Sequence, residues 1–140
     1  MSDIMKLRQD HADLIEIVAR LKAVVGARAA PPIVELFTLR RELASTLIAH
    51  LKAEDWALYP LLMNSGDAKI AATAKAFSDE MGGLAEAFGV FGQRWDAMSI
   101  QKDWTGFCHE SNKIITALTS RITREDRELY PLIDQVDKAA

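Results

Sequence analysis

Leu47-Ile48-Ala49-His50-Leu51-Lys52-Ala53-Glu54-Asp55-Trp56-Ala57-Leu58-Tyr59-Pro60-Leu61 is the stretch whose reading decides the fold. It returns near the end of the chain as Leu118-Thr119-Ser120-Arg121-Ile122-Thr123-Arg124-Glu125-Asp126-Arg127-Glu128-Leu129-Tyr130-Pro131-Leu132. Aligned without gaps, the copies share Leu47/Leu118, Glu54/Glu125, Asp55/Asp126, Leu58/Leu129, Tyr59/Tyr130, Pro60/Pro131 and Leu61/Leu132. One chemically loaded position differs: His50 in the first copy, Arg121 in the second.

Outward from these copies, the chain reads as helix throughout, with apolar residues three or four apart. A first segment carries Ile4, Leu7, His11, Leu14, Val18, Leu21 and Val25, with Ser2 or Asp3 as its cap and Gly26 after its end. Pro31-Pro32 open the second, since proline suits a first helical turn. Its stripe is Leu36, Leu39, Leu43, Leu47, His50, Glu54, Leu58 and Leu61, and Pro60 is expected to kink or end it. Asp67 caps a third, with Ile70, Ala74, Phe77, Met81, Leu84, Phe88, Phe91 and Trp95. A fourth begins near Asp103 and carries Phe107, Ser111, Ile114, Leu118, Arg121, Glu125, Leu129 and Leu132. Nothing reads as a strand and no linker splits residues 1–140. The expectation is one all-α domain, an up-down-up-down antiparallel four-helix bundle.

Composition narrows the partners. A chain of 140 residues with 17 basic and 20 acidic side chains has neither a basic block for nucleic acid nor a membrane-spanning apolar run. The single cysteine, Cys108, cannot form an internal disulfide, and the N-terminus lacks a signal pattern, so a cytoplasmic protein is expected.

Polar side chains interrupt the apolar stripes. His11 does so in the first, His50 and Glu54 in the second, Arg121 and Glu125 in the fourth, while the third has Met81. At about 1.5 Å rise per residue, His11 and His50 fall within one turn of the same height, and Met81 and Arg121 match them. Two carboxylates in one core layer need a compensating charge, since an unpaired buried charge costs several kcal/mol. A metal ion is one compensator: histidine and glutamate four apart present ligand atoms from one face, and that donor pair suits iron, manganese or zinc.

The His-x-x-x-Glu pattern ending in Leu-Tyr-Pro, its late echo, and the early Gln9-Asp10-His11 together resemble the hemerythrin-like (HHE cation-binding) family. The resemblance runs from His11 to Pro131. It implies a four-helix bundle around a carboxylate-bridged, usually di-iron, centre that binds oxygen in some members and serves nitric oxide, iron or redox sensing in others. Carried over position by position, His11, His50, Glu54 and Glu125 match ligand places. Two places depart: Met81 stands for the third-helix histidine and Arg121 for the fourth-helix one. Guanidinium can bind carboxylates through a bidentate fork, so Arg121 can satisfy Glu54 and Glu125 without an ion.

Two readings stay open at this point. One is a non-catalytic bundle with at most one divalent ion, iron or similar, open to a small ligand such as oxygen or nitric oxide. The other is a metal-free regulatory or interaction module, with a second copy or another protein as partner. A phosphotransfer histidine is disfavoured because Glu54 beside His50 would repel a phosphoryl group. His109 shares no stripe with Arg121 and is expected at the surface, as is Trp56. Tyr59 and Tyr130 are expected to pack with their hydroxyls at the rim, with a bond to a site carboxylate as the alternative. Gly82-Gly83, Gly89 and Gly92 mean either close helix packing or a locally distorted third helix.

Overall fold

A computed structural model describes the backbone of residues 2–139 and the side chains of residues 4–135. Every regular element among these is helical, and no strand is present among the described residues. Helix α1 (Ser2–Val25) buries its whole predicted stripe, Ile4 through Val25. Helix α2 (Ile33–Ala53) starts directly after Pro32.

Pro60 neither ends the second rod nor breaks it. Proline lacks the N–H that would bond to the carbonyl four residues earlier, and its ring collides with that carbonyl. The chain answers with one wide turn, π1 (Glu54–Leu58), closed by the Tyr59 N–H on the Glu54 carbonyl. Helix α3 (Tyr59–Met63) then continues through the proline. One extra residue in the turn rotates the rest of the rod, so the buried face moves on by one. The 3.6-residue stripe points to Leu58 and Leu61, but the core receives Tyr59 and Leu62, and Leu61 is 64% exposed. The second copy repeats the device. Helix α7 (Trp104–Arg124) runs into π2 (Glu125–Leu129), closed by the Tyr130 N–H on the Glu125 carbonyl, and then into α8 (Tyr130–Ala139). There Tyr130 and Ile133 are buried and Leu132 is only half-buried.

The expected third helix is two helices. Helix α4 (Ala68–Met81) starts on Asp67, whose carboxylate accepts from the Ile70 N–H at 3.0 Å, and stops at Met81. Helix α5 (Leu84–Arg94) comes after Gly82-Gly83, and a short α6 (Ala97–Lys102) leads to α7. At Gly82 a Cβ would sit 2.4 Å from the Ser78 carbonyl oxygen, so this turn demands glycine. Added Cβ atoms at Gly83, Gly89 or Gly92 would meet nothing within 4 Å. Close packing therefore does not explain Gly83, Gly89 or Gly92; Gly82-Gly83 marks a local break in the rod, whereas Gly89 and Gly92 lie within the continuous α5.

Helix α1 packs on α2 and α7, α5 packs on α7 and α2, and α4 packs on α3 and π2. Two apolar clusters result. One holds Leu14, Leu47, Leu84, Phe91, Phe107 and Leu118, the other Leu7, Tyr59, Ile70, Phe77, Leu129 and Tyr130. Along three of the rods the polar interruption lies between them: His11 between Leu7 and Leu14, His50 and Glu54 between Leu47 and Tyr59, and Arg121 and Glu125 between Leu118 and Leu129. No helix among the described residues is long and apolar enough to cross a membrane.

Candidate metal centre

His11, His50, Glu54 and Glu125 meet in this polar slice with ligand atoms all within 4.8 Å of one another. Each is essentially excluded from solvent. Glu54 and Glu125 each open one of the two π turns, a type of local widening that recurs at functional sites.

The two imidazoles are held from outside. His11 Nδ1 donates to Asp126 Oδ1 at 2.7 Å, and His50 Nδ1 donates to Asp10 Oδ2 at 3.0 Å. Lys6 in turn pairs with Asp10. With both Nδ1 atoms facing carboxylates, both Nε2 atoms turn inward, 3.1 Å apart. His11 Nε2 is also 3.1 Å from Glu125 Oε1, and His50 Nε2 is 3.1 Å from Glu54 Oε1. Carboxylate-anchored imidazoles presenting paired lone pairs to two carboxylate oxygens are what a bound cation requires. Without a positive charge between them, those lone pairs oppose each other. The donor set therefore fits a divalent ion, which His11, His50 and the facing oxygens of Glu54 and Glu125 would hold.

Protons are the competing cations. Burial works against charging His11, yet Glu125 and Asp126 outweigh it and raise its pKa. Burial likewise opposes charge on His50, and Glu54 and Asp10 overcome it. Burial alone would raise Glu54, but His50 and Arg121 beside it hold it at about 2. Burial pushes Glu125 upward, in spite of His11, and the charge of Glu54 adds to the rise.

The other side of the slice belongs to Arg121. Its Nε donates to Glu125 Oε2 at 3.2 Å, and its Nη2 donates to Glu54 Oε1 at 3.1 Å and to Asp55 Oδ1 at 2.7 Å. Nη1 donates to the Met81 carbonyl at 3.1 Å, a carbonyl left free because α4 stops there. A guanidinium at a helix C-terminus also complements the helix dipole. Four carbonyl or carboxylate contacts keep this cation in place, and desolvation is outweighed by Glu125 and Glu54, which raise its pKa. A cleft of about 550 Å³ between α4, α5 and α7 reaches Arg121 from outside, with Met81, Leu84 and Ile114 in its walls.

Tyr59 and Tyr130 are not at a rim; both are fully buried at the site. Tyr59 donates to Glu125 Oε2 and Tyr130 to Glu54 Oε2 at 2.6 Å, so each copy's tyrosine serves the other copy's glutamate. The π turn supplies the reason, by turning the tyrosine inward where an α-helix would turn it to the edge. Sequence reasoning also passed over Asp10 and Asp126 as partners of the imidazoles. The signal for Asp126 was available, since Glu-Asp is kept in both copies; Asp10 shows none beyond its place beside His11. Met81 contributes its carbonyl, with its half-buried side chain at the edge of the core. His109 and Trp56 are exposed, as their helix positions suggest.

The model of the hemerythrin HHE cation binding domain matches residues 2–133. No curated protein and no solved structure matches the chain.

Proposed function

Because this chain belongs to the hemerythrin HHE cation-binding family, we propose that it is a non-catalytic metal protein holding at most one divalent ion, iron by its donor set, for sensing or handling a small gas. In this reading the rods form the up-down-up-down antiparallel bundle, and His11, His50, Glu54 and Glu125 are the ligands. One observation carries the proposal: two imidazoles, each anchored through Nδ1 by an aspartate, face each other across 3.1 Å beside two carboxylates. Two imidazoles with carboxylate suit non-haem iron with open positions. Once bound, the ion would supply such a position to oxygen or nitric oxide.

The residues divide the labour. Asp10 and Asp126 keep the proton on Nδ1 and thus leave Nε2 free. Tyr59 and Arg121 Nε fix the outer oxygen of Glu125 and Tyr130 that of Glu54, while Arg121 Nη2 shares the inner oxygen, Glu54 Oε1, with His50. The apolar clusters above and below keep water out, which strengthens each of these contacts. The break at Gly82-Gly83 lies beside the cleft that leads to the slice. A single unpaired cysteine accords with a reducing, cytoplasmic setting.

Arg121 favours a second reading, a metal-free regulatory module, since it already neutralises part of the acidic cluster. Titration of metal-stripped protein with cobalt(II), monitored by its visible bands, separates the two. A metal-holding chain is expected to saturate at one equivalent, to lose the bands in His50→Ala, and to change its spectrum when nitric oxide is added to the iron(II) form. Absence of any bands at saturating cobalt would leave the metal-free reading.

A further inference from the structure

A second feature lies along the rods from the metal slice, with Leu21 on α1 and Arg40 on α2 each ten residues, roughly 15 Å, from His11 and His50, and its wall running along α2 as far as Ile48. A cleft of about 360 Å³ opens between α2 and α5, walled by Leu21, Phe37, Leu43, Phe88, Phe91 and Phe107. That volume is within the range of small-molecule sites. On the α5 side the wall includes Gly89 and Gly92, where an added Cβ would meet nothing within 4 Å. Both glycines weaken the helix by about 1 kcal/mol relative to alanine, and they leave room in its place.

Arg40 lies in this cleft, half-buried, with its guanidinium carbon 4.8 Å from the Phe37 ring centroid, 5.6 Å from Phe91 and 5.8 Å from Phe107. Its Nη1 donates to the Trp95 carbonyl at 2.7 Å and its Nη2 to the Gly92 carbonyl at 3.4 Å. Its remaining N–H donors have no acceptor among the described residues. Arg8, Arg20, Arg94, Arg121 and Arg124 all lie against carboxylates, whereas Arg28, Arg40, Arg41 and Arg127 have no carboxylate oxygen within 4.0 Å among the described residues; of these four only Arg40 is half-buried, the others being exposed. Burial without a counter-ion lowers its pKa. Arg41 adds a second positive charge to the same lining.

We propose that this cleft binds a small organic carboxylate with an apolar body, the carboxylate on Arg40 and the body among Phe37, Phe88 and Phe91. The charge complementarity is specific. A half-buried guanidinium flanked by three aromatic rings and without a carboxylate partner favours an anion, and carboxylate matches its fork geometry. A neutral apolar molecule would fill the space but leave the cation uncompensated. Occupancy of the cleft does not depend on whether the distant slice holds metal.

Decanoate, below its micelle concentration, and decanol as its uncharged counterpart serve as probes in calorimetric titration of the intact chain. Decanoate is expected to bind at least tenfold more tightly than decanol. Arg40→Met is expected to erase that preference while decanol binding persists, a loss of about tenfold for one charge-assisted contact. Gly89→Leu fills the cleft while raising helix propensity, so it is expected to fold and to abolish binding of both probes. Equal affinity for both probes, no binding of decanoate, or decanoate binding unchanged in Gly89→Leu would each overturn the assignment. So would a dimer in sedimentation that Gly89→Leu dissociates, which would make the cleft a contact between copies of the chain.

Discussion

The two copies of the central pattern build the same scaffold and fill it with opposite chemistry. Both place a glutamate at the first residue of a π turn, both pass through Tyr-Pro, and both aim the tyrosine at the other copy's glutamate. Even the next residues, both aspartates, are used alike, Asp126 on His11 and Asp55 on Arg121. Among the paired residues that reach the slice, only the one four before each glutamate differs. His50 offers a lone pair, whereas Arg121 offers a fixed positive charge. A scaffold repeated in its π turns and crossed tyrosine bonds thus becomes one-sided in charge: Arg121 brings a fixed cation to one side, where the His11–His50 side presents imidazole nitrogens.

Removing the built-in cation is the harshest way to break this asymmetry. Arg121→Met leaves Glu54 and Glu125 buried without their guanidinium, and about 3–5 kcal/mol of stability is expected to disappear in denaturant unfolding. Divalent metal should restore part of that loss, because an ion can then compensate both carboxylates. A variant as stable as the parent without metal would show that the guanidinium is not what balances the layer.

On the opposite side, His50→Ala removes an inward lone pair, and metal affinity should fall by about 100-fold or more, beyond the range seen for outer partners. Asp126→Asn keeps both imidazoles but loosens the anchor of His11, for which a fall of about 10- to 100-fold is expected. Competition against a chromophoric chelator reads both. Should Asp126→Asn bind as tightly as the parent, the aspartate does not set the tautomer of His11.

The tyrosines sharpen the scaffold half of the comparison. Tyr59→Phe and Tyr130→Phe each strip one hydroxyl from a buried carboxylate, at a cost of about 1–3 kcal/mol. Near-equal losses are expected from the matched copies, and thermal or denaturant unfolding of the pair checks it.

The smallest effect is in pH. Both imidazoles have raised pKa values in the folded, metal-free chain. Their contribution to stability is therefore complete below about 6.5, the unfolded value, and is lost as pH rises through the folded values. Metal needs the same nitrogens neutral, so affinity should climb across the same interval with release of protons. Metal-free stability and metal affinity should move in opposite directions as pH is raised; parallel movement would show that the imidazoles are not the shared link.

Much of this was written in the residues. The helical periodicity located the rods, and height matching along them brought His11, His50, Glu54, Arg121 and Glu125 to one slice, as the structure has it. Departures from a 3.6-residue period escaped. Pro60 was legible as a disturbance, but neither it nor Pro131 as the mark of a π turn that carries Tyr59 or Tyr130 into the core. Gly82-Gly83 signalled weakness without showing that α4 would stop and give its Met81 carbonyl to Arg121. Asp10 was hidden for another reason: its partner His50 is on a different helix, and periodicity along one rod says nothing of a bond between two.

The central claim is that one half of this slice holds an ion and the other holds Arg121 in its stead. Metal content per chain, measured on protein purified after iron-supplemented expression, tests it most directly. The account predicts one metal per chain; two would contradict the role given to Arg121, and none would contradict the role given to His11 and His50.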